Sequence, residues 1–151
     1  MSLDHAGVLA SIETYLGQDV QYGINRSEKY RLVLHTKHPK KPNFTCYVTA
    51  LQNFMQWYSH WVIGPRYIND LNYLNEFCRE LNCNAQVSKF WIDTDATSLF
   101  SETRETRLVQ EASTPVSFEA SSFAAFLVMY EWDIKEILDP FGRLGGVWPG
   151  S

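Results

Sequence analysis

The chain has 151 residues, of which 15% are aromatic and 20% charged, and its formal net charge at pH 7 is −4. This length predicts a single domain over residues 1–151 with a core of its own, and the apolar content excludes an intrinsically disordered chain. The net negative charge argues against nonspecific nucleic-acid binding, which depends on clustered Lys and Arg.

The first half of the chain predicts one helix followed by four strands. Asp4 can cap a helix over about 5–16, and Gly17 can end it. A turn at 25–28 and a loop over 36–43 with two prolines and three lysines separate segments in which apolar and polar residues alternate. The predicted strands cover residues 20–24, 30–34, 44–50 and 54–63.

In the middle of the chain a helix pattern runs directly into a strand pattern. The helix begins after Gly64-Pro65 and ends near Asn82, and residues 86–93 then alternate as a strand that leads into a turn at 93–96. The helix is predicted from apolar residues at three- and four-residue spacing, namely Ile68, Leu71, Leu74, Phe77, Cys78 and Leu81.

The last third of the chain predicts one further strand region and a long final helix. Residues 103–106 are polar and indicate a bulge or a break in that strand. Ser117 is the expected N-cap of the helix. Phe126 lies in the middle of the helix's apolar stripe, and we expect it to be buried together with Trp91. The glycine-rich segment from about 143 to 151 predicts a flexible tail.

Two segments of the central unit, Leu71–Asn75 and Lys89–Asp93, resemble the helix–strand signature of the YbjN-type bacterial family. This family is described as sensory transduction regulators and is similar in fold to type III secretion chaperones. The resemblance spans about Leu32 to Leu138. It implies an α+β domain, in which an antiparallel β-sheet carries helices mainly on one face, in a type III secretion chaperone-like arrangement. The chaperone-like pattern usually has fewer strands before the middle helix, so either the strand at 54–63 is an addition or the first strands are miscounted.

For function, the resemblance implies a non-enzymatic bacterial protein that binds another protein, in a chaperone-like or regulatory role. Related chaperone-like folds commonly form homodimers. Three scattered cysteines fit a reducing compartment, no apolar run approaches the roughly 20 residues that span a bilayer, and the N-terminus lacks the order of a signal peptide. We therefore expect a cytoplasmic protein that binds a protein partner or client and forms a homodimer, and that binds neither a nucleic acid nor a membrane.

One enzymatic alternative depends on Asp93 and Asp95, which mimic the strand-end aspartates of haloacid dehalogenase-type phosphotransferases. Too few residues follow them to supply the parallel βα units of that fold, so we interpret the pair as part of a hairpin turn. A small metal-dependent hydrolase or phosphatase that uses these two aspartates remains the second interpretation. A small-molecule sensor with a pocket beneath the final helix is the third. No cofactor is predicted, and the His35 and His38 pair is weak support for a metal site.

The strand at 54–63 is unusual because both of its sides are apolar or aromatic, whereas a sheet covered on one side needs only one such side. Either the N-terminal helix or the tail covers the second side, or that side is an exposed patch for a protein partner or for dimerisation. Asn72 and Asn75 either bond to a nearby strand or recognise a partner's backbone. The predicted partner-binding residues are therefore Phe54, Trp57, Tyr58, His60, Trp61, Asn72 and Asn75.

Overall fold

The fold is described from a computed structural model, which describes residues 4–18, 22–28, 30–36, 44–98, 101–138 and 147–149. Within these residues, three α-helices and seven β-strands follow one another in the order that the sequence predicts, and the short last strand is additional. The elements are α1 (His5–Gly17), β1 (Tyr22–Glu28), β2 (Arg31–Thr36), β3 (Thr45–Ala50), β4 (Met55–Ile63), α2 (Leu71–Asn84), β5 (Lys89–Ser98), β6 (Ser101–Thr114), α3 (Ala120–Trp132), a π-helical turn (Asp133–Leu138) and β7 (Val147–Pro149).

The strands form one antiparallel sheet in the order β1-β2-β3-β4-β6-β5, and β7 pairs with the end of β4. All four strands predicted before the middle helix are present, so β4 and the first hairpin are both parts of this sheet. The predicted turn at 25–28 is wrong, because β1 continues to Glu28 through a register shift. Residues 37–43 of the predicted loop lie outside the described residues.

The helices pack on one face of the sheet, and the core lies between them. Buried side chains of α1, α2 and α3 join one cluster with alternate residues of the strands, including Leu34, Cys46, Trp57 and Leu108. Trp57 is the largest fully buried side chain of this cluster. This arrangement confirms the expected α+β fold with helices mainly on one face of an antiparallel sheet.

Short side-chain caps determine where the helices begin. The carboxylate of Asp4 accepts a hydrogen bond from Gly7 N at 2.9 Å, as the sequence predicts for α1. α2 begins several residues after Gly64-Pro65, because the Asp70 carboxylate caps it by accepting from Tyr73 N at 3.1 Å. α3 is capped by Glu119 rather than by Ser117, since the Glu119 carboxylate accepts from the backbone amides of residues 121 and 122.

β5 and β6 form a longer hairpin than predicted. The expected turn at 93–96 is wrong: β5 passes through this segment with a register shift between Asp93 and Ala96, and Asp95 N donates to Asp93 Oδ1 at 2.9 Å. β6 runs through 103–106 without a break. An aspartate carboxylate can accept a hydrogen bond from a nearby backbone amide both in a turn and in a bulge. The aspartates at 93–96 therefore did not distinguish a turn from a bulged strand.

A buried aspartate joins the end of α3 to the connection between α2 and β5. Asp133 is fully buried, and its carboxylate accepts hydrogen bonds from the backbone amides of Gln86, Val87 and Ser88 at 2.6, 3.1 and 2.9 Å. The α-helix gives way to the π-helical turn at this residue. At the other end of the same connection, the Asn82 amide group bonds to both N and O of Phe90, at 2.7 and 2.8 Å.

One further expectation is corrected by the packing. Phe126 lies against Trp57, with ring centroids 4.9 Å apart, while Trp91 lies on the opposite face of the sheet and cannot be buried with it. Within the segment predicted as a flexible tail, Val147–Pro149 pairs with β4 as β7, while the flexibility of the tail stays a prediction. The rest of the segment over 143–151 lies outside the described residues.

Candidate functional site

The candidate site is the face of the sheet that points away from the helices, which we call the open face. Paired residues of antiparallel strands point to the same side of a sheet, so the register of the strands defines this face row by row. A first row crosses five strands and contains Val33, Tyr47, Tyr58, Glu111 and Lys89. A second row contains His60, Val109 and Trp91, and a third contains Val62, Arg107 and Asp93.

Aromatic side chains contact one another at the centre of the open face. The rings of Tyr58 and His60 meet edge to face with centroids 4.5 Å apart, and Tyr47 approaches His60 in the same manner at 6.2 Å. All three side chains, and that of Trp91 beside them, are half-buried. These rings therefore present both apolar area and polar tips at one surface, a combination that is enriched in protein interfaces.

Val109 shows how closely the side chains of the open face are packed. It is fully buried, yet it does not belong to the core cluster on the helix side. Its register neighbours are His60 on one side and Trp91 on the other. Side chains of the open face thus cover this valine themselves, which leaves their own outer surfaces exposed.

Charged side chains border the aromatic centre and are paired within the face. The Arg107 guanidinium is almost buried and donates to the Glu105 carboxylate from Nε and Nη2, at 2.9 and 2.8 Å. Glu111 accepts from the Gln56 amide at 3.3 Å. Among the described side chains of the face, basic and acidic groups are balanced: Arg31, Lys89 and Arg107 are matched in number by Asp93, Glu105 and Glu111.

This environment changes the protonation of two side chains at the centre. Partial burial lowers the pKa of His60, the Arg107 charge lowers it further, and Asp93 opposes the shift. Burial raises the pKa of Tyr58 to about 12, with Asp93 and Glu111 acting in the same direction. Both side chains are consequently neutral at pH 7, so they add hydrogen-bonding capacity but no net charge to the open face.

The structure divides the predicted partner-binding residues. Tyr58 and His60 lie on the open face, as the alternation of β4 predicts. Including Trp57 and Trp61 was wrong, because they point to the helix side and are only 1% and 4% exposed. Their indole N–H groups donate inside the protein, to Thr114 Oγ1 and Gln110 Oε1. Neither tryptophan is accessible to a partner.

The remaining predicted residues do not join the same surface. Phe54 is 38% exposed in the bend before β4. Asn72 and Asn75 are exposed on α2, whose buried side chains belong to the core cluster on the helix side. The interpretation that the N-terminal helix covers the second side of β4 is also wrong, since α1 packs into the helix-side core through Leu9, Ile12 and Leu16.

Sequence reasoning missed Tyr47 and Trp91 as members of the open face. Both alternate with buried residues, Tyr47 between Cys46 and Val48 and Trp91 beside Phe90. The strand register links Tyr47 directly to Tyr58, and it links Trp91 to His60 through Val109. The period-two pattern was visible in the sequence, and grouping the second sides of all strands would have found these residues.

The other interpretations find less support in the geometry. Among the described residues, no three His, Cys, Asp or Glu side chains lie close enough together to hold a metal ion, and His38 is outside those residues. The space between the sheet and α3 is filled by aromatic rings, with Trp57 4.9 Å from Phe126 and 6.2 Å from Tyr130 between centroids. None of the described helices has the length and apolar content needed to cross a membrane.

Comparison with known proteins identifies the fold. No family model matches the chain, and no curated protein matches it. Among solved structures, the crystal structure of YbjN from E. coli, a candidate transcription regulator, matches with a TM-score of 0.65 over 93% of this chain and 95% of that chain. The chain has a YbjN-like fold. The sequence identity is 17%, so this likeness concerns the fold alone.

The two segments that carried the sequence resemblance lie on two elements that pack against each other. Leu71–Asn75 begins α2 and Lys89–Asp93 begins β5, and these two elements are packed together. The Asn82 side chain, which bonds to the backbone of Phe90, fixes the distance between them. The resemblance thus arises from the packing of a helix against an edge strand, which specifies a fold and not a chemical activity.

Proposed function

We propose that this chain is a non-enzymatic bacterial protein-binding domain, chaperone-like or regulatory, that acts in the cytoplasm and binds its protein partner through the open face. The observation that carries the proposal is the cluster of half-buried aromatic side chains on the open face, formed by Tyr47, Tyr58, His60 and Trp91. Half-exposed aromatic rings gain both apolar burial and hydrogen bonds when a second protein surface covers them.

The charge pattern supports a protein partner over a nucleic acid. Affinity for phosphate backbones comes mainly from an excess of Lys and Arg. On the open face the basic groups are matched by acidic ones, and Arg107 is already bound to Glu105. The YbjN-like fold adds support for a binding or regulatory role, since the matching structure is described as a candidate transcription regulator.

The cytoplasmic location is supported by the cysteines. Cys46, Cys78 and Cys83 are all free thiols, and Cys46 and Cys78 are buried at separate places in the fold. Free buried thiols are typical of proteins in reducing compartments. Burial raises the pKa of Cys46 to about 11 and that of Cys78 to about 12, so both remain protonated and neither is suited to act as a nucleophile.

The proposal is tested with Tyr58→Glu, which places a carboxylate at the centre of the open face. The matched control is Val128→Glu, because Val128 is 64% exposed on α3, on the helix side. Sedimentation velocity of each purified variant, and affinity capture from an extract of the source cells, measure association with any protein. We expect wild type and Val128→Glu to associate in at least one of these assays and Tyr58→Glu to lose that association. If wild type associates in neither assay, or if Tyr58→Glu associates as wild type does, the proposal is wrong.

A further inference from the structure

The charged residues of the open face have an order that becomes significant when two copies of the chain are considered. Three consecutive rows form the centre of the open face on β4, β6 and β5. The middle row, with His60, Val109 and Trp91, contains no Asp, Glu, Lys or Arg. The outer rows lie about 7 Å on either side of it, given the strand rise of about 3.3–3.4 Å per residue. One outer row carries Glu111 and Lys89, and the other carries Arg107 and Asp93.

The order of charges in the two outer rows is reversed. On β6 the first row has an acid and the third a base, whereas on β5 the first row has a base and the third an acid. A two-fold axis that runs along the middle row, between two facing copies, exchanges the first and third rows. Glu111 then faces Arg107 of the second copy, and Lys89 faces Asp93 of the second copy. Each charged position of β5 and β6 in these rows then faces a position of opposite charge. Because the almost buried Arg107 is already bound to Glu105 of its own copy, the contact between Lys89 and Asp93 is the one that a second copy adds.

The same axis also matches the apolar groups of the face. Trp91 meets Trp91 of the second copy, and Tyr58 meets Val62. Packed sheets lie about 10 Å apart with their strands inclined by about 30°, a separation that side chains of this size fill. The contact is isologous, so each pair occurs twice in the complex.

A second face-to-face axis, parallel to the strands and centred on β4, pairs the charged residues poorly. It would place Glu111 over Tyr47 and Lys89 over Val33 of the second copy, since these four residues share the first row. Charged groups would then be desolvated against apolar side chains, which costs free energy without compensation. The axis centred on β4 is therefore disfavoured, whereas a parallel axis between β6 and β5 would also oppose unlike charges, and the charge exchange between variants distinguishes that arrangement from the one along the middle row.

We propose that the open face binds a second copy of this chain, with a two-fold axis along the row of His60, Val109 and Trp91 and with Lys89 facing Asp93 of the other copy. This inference rests on the proposed function, because it names the partner of the same surface. A separate protein that binds the open face is the alternative that the experiment must distinguish.

The test is a charge exchange between two variants. Lys89→Glu places two pairs of like charges in its own homodimer, and Asp93→Lys does the same with the opposite sign. Each variant alone is expected to dimerise at least about tenfold more weakly than wild type in sedimentation equilibrium. An equimolar mixture of the two restores both attractive pairs, so it is expected to form a heterodimer with nearly wild-type affinity.

Matched controls separate the contact from a general effect of charge. Lys135→Glu and Glu136→Lys make the same charge changes at exposed positions of the π-helical turn, away from the open face, and both are expected to dimerise like wild type. If either reversal prevents folding, Lys89→Gln and Asp93→Asn replace it and are expected to weaken dimerisation in the same direction. Asp93→Asn keeps the oxygen that accepts from Asp95 N.

The outcomes distinguish this inference from the proposed function. If each single variant dimerises weakly and their mixture regains nearly wild-type affinity, the result supports a second copy in the stated register. If the single variants are folded but their mixture does not regain affinity, the inference is overturned. A wild type that stays monomeric at 100 µM in sedimentation while Tyr58-dependent capture from the extract persists overturns the second copy but leaves the proposed function standing.

Discussion

Asp133 offers a sharp test of how the fold is held together. Its buried carboxylate is the acceptor for three consecutive backbone amides, those of Gln86, Val87 and Ser88. In Asp133→Ala, all three N–H groups lose their partner. A buried polar group without a partner costs about 1–3 kcal/mol. Because this connection is only partly buried, water can reach some of the groups, and we expect a loss of roughly 3–5 kcal/mol in the free energy of unfolding.

The asparagine variant refines this prediction. Asp133→Asn keeps one acceptor oxygen but turns a donor group towards the remaining amides, so a loss of about 2 kcal/mol is expected. Urea unfolding gives the free energies, and amide hydrogen exchange at residues 86–88 locates the effect. Glu136→Ala, an exposed change in the same π-helical turn, is the control. If Asp133→Ala unfolds within about 0.5 kcal/mol of that control, the reasoning is refuted.

Two other predictions concern the two faces of the sheet. Phe126→Ala removes the ring that packs on Trp57, and we expect it to lower the free energy of unfolding in urea by about 3–5 kcal/mol. Trp91→Ala, on the open face, should lower the free energy of unfolding of the monomer by less than half as much. Equal losses in the two variants would place both rings in one core. Because the pKa of His60 is lowered in the folded protein, the unfolded chain binds a proton at this residue more readily. The contribution of neutral His60 to the free energy of unfolding is therefore fully present above pH 6.5, and it falls as the pH drops from 6.5 towards the folded-state pKa. His60→Gln should remove part of this fall in thermal unfolding between pH 7 and 5, and an identical pH profile would contradict the assignment.

The order of elements was predictable from the sequence because each element has a clear periodicity. β4 alternates over nine residues, and the apolar residues of α2 recur at helical spacing. Helix starts were less predictable. Asp70 and Glu119 cap α2 and α3, and neither stood out against the nearby Pro65 and Ser117, because capping depends on the backbone conformation that the whole connection adopts.

The candidate site was predictable only in part, for a specific physical reason. A period-two pattern separates the two sides of a strand but does not say which side the helices cover. Tyr58 and Trp57 are adjacent aromatic residues of β4, and only the position of α3 decides that Trp57 is buried and Tyr58 is not. The same uncertainty led to the incorrect pairing of Trp91 with Phe126. The pairing of Glu111 with Lys89 depends on the register of the β5–β6 hairpin, which two register shifts near its tip change and which no local pattern contains.

The central claim is that the open face, and not the helix side, is the surface through which this protein binds protein. Hydroxyl-radical footprinting measures it directly, by comparing the oxidation of individual side chains at nanomolar and at 50 µM protein. We expect Tyr58 and Trp91 to become protected at the higher concentration, while Trp132, which is 39% exposed on the helix side, is oxidised at the same rate in both. Protection of Trp132 with unchanged oxidation of Tyr58 and Trp91 would contradict it.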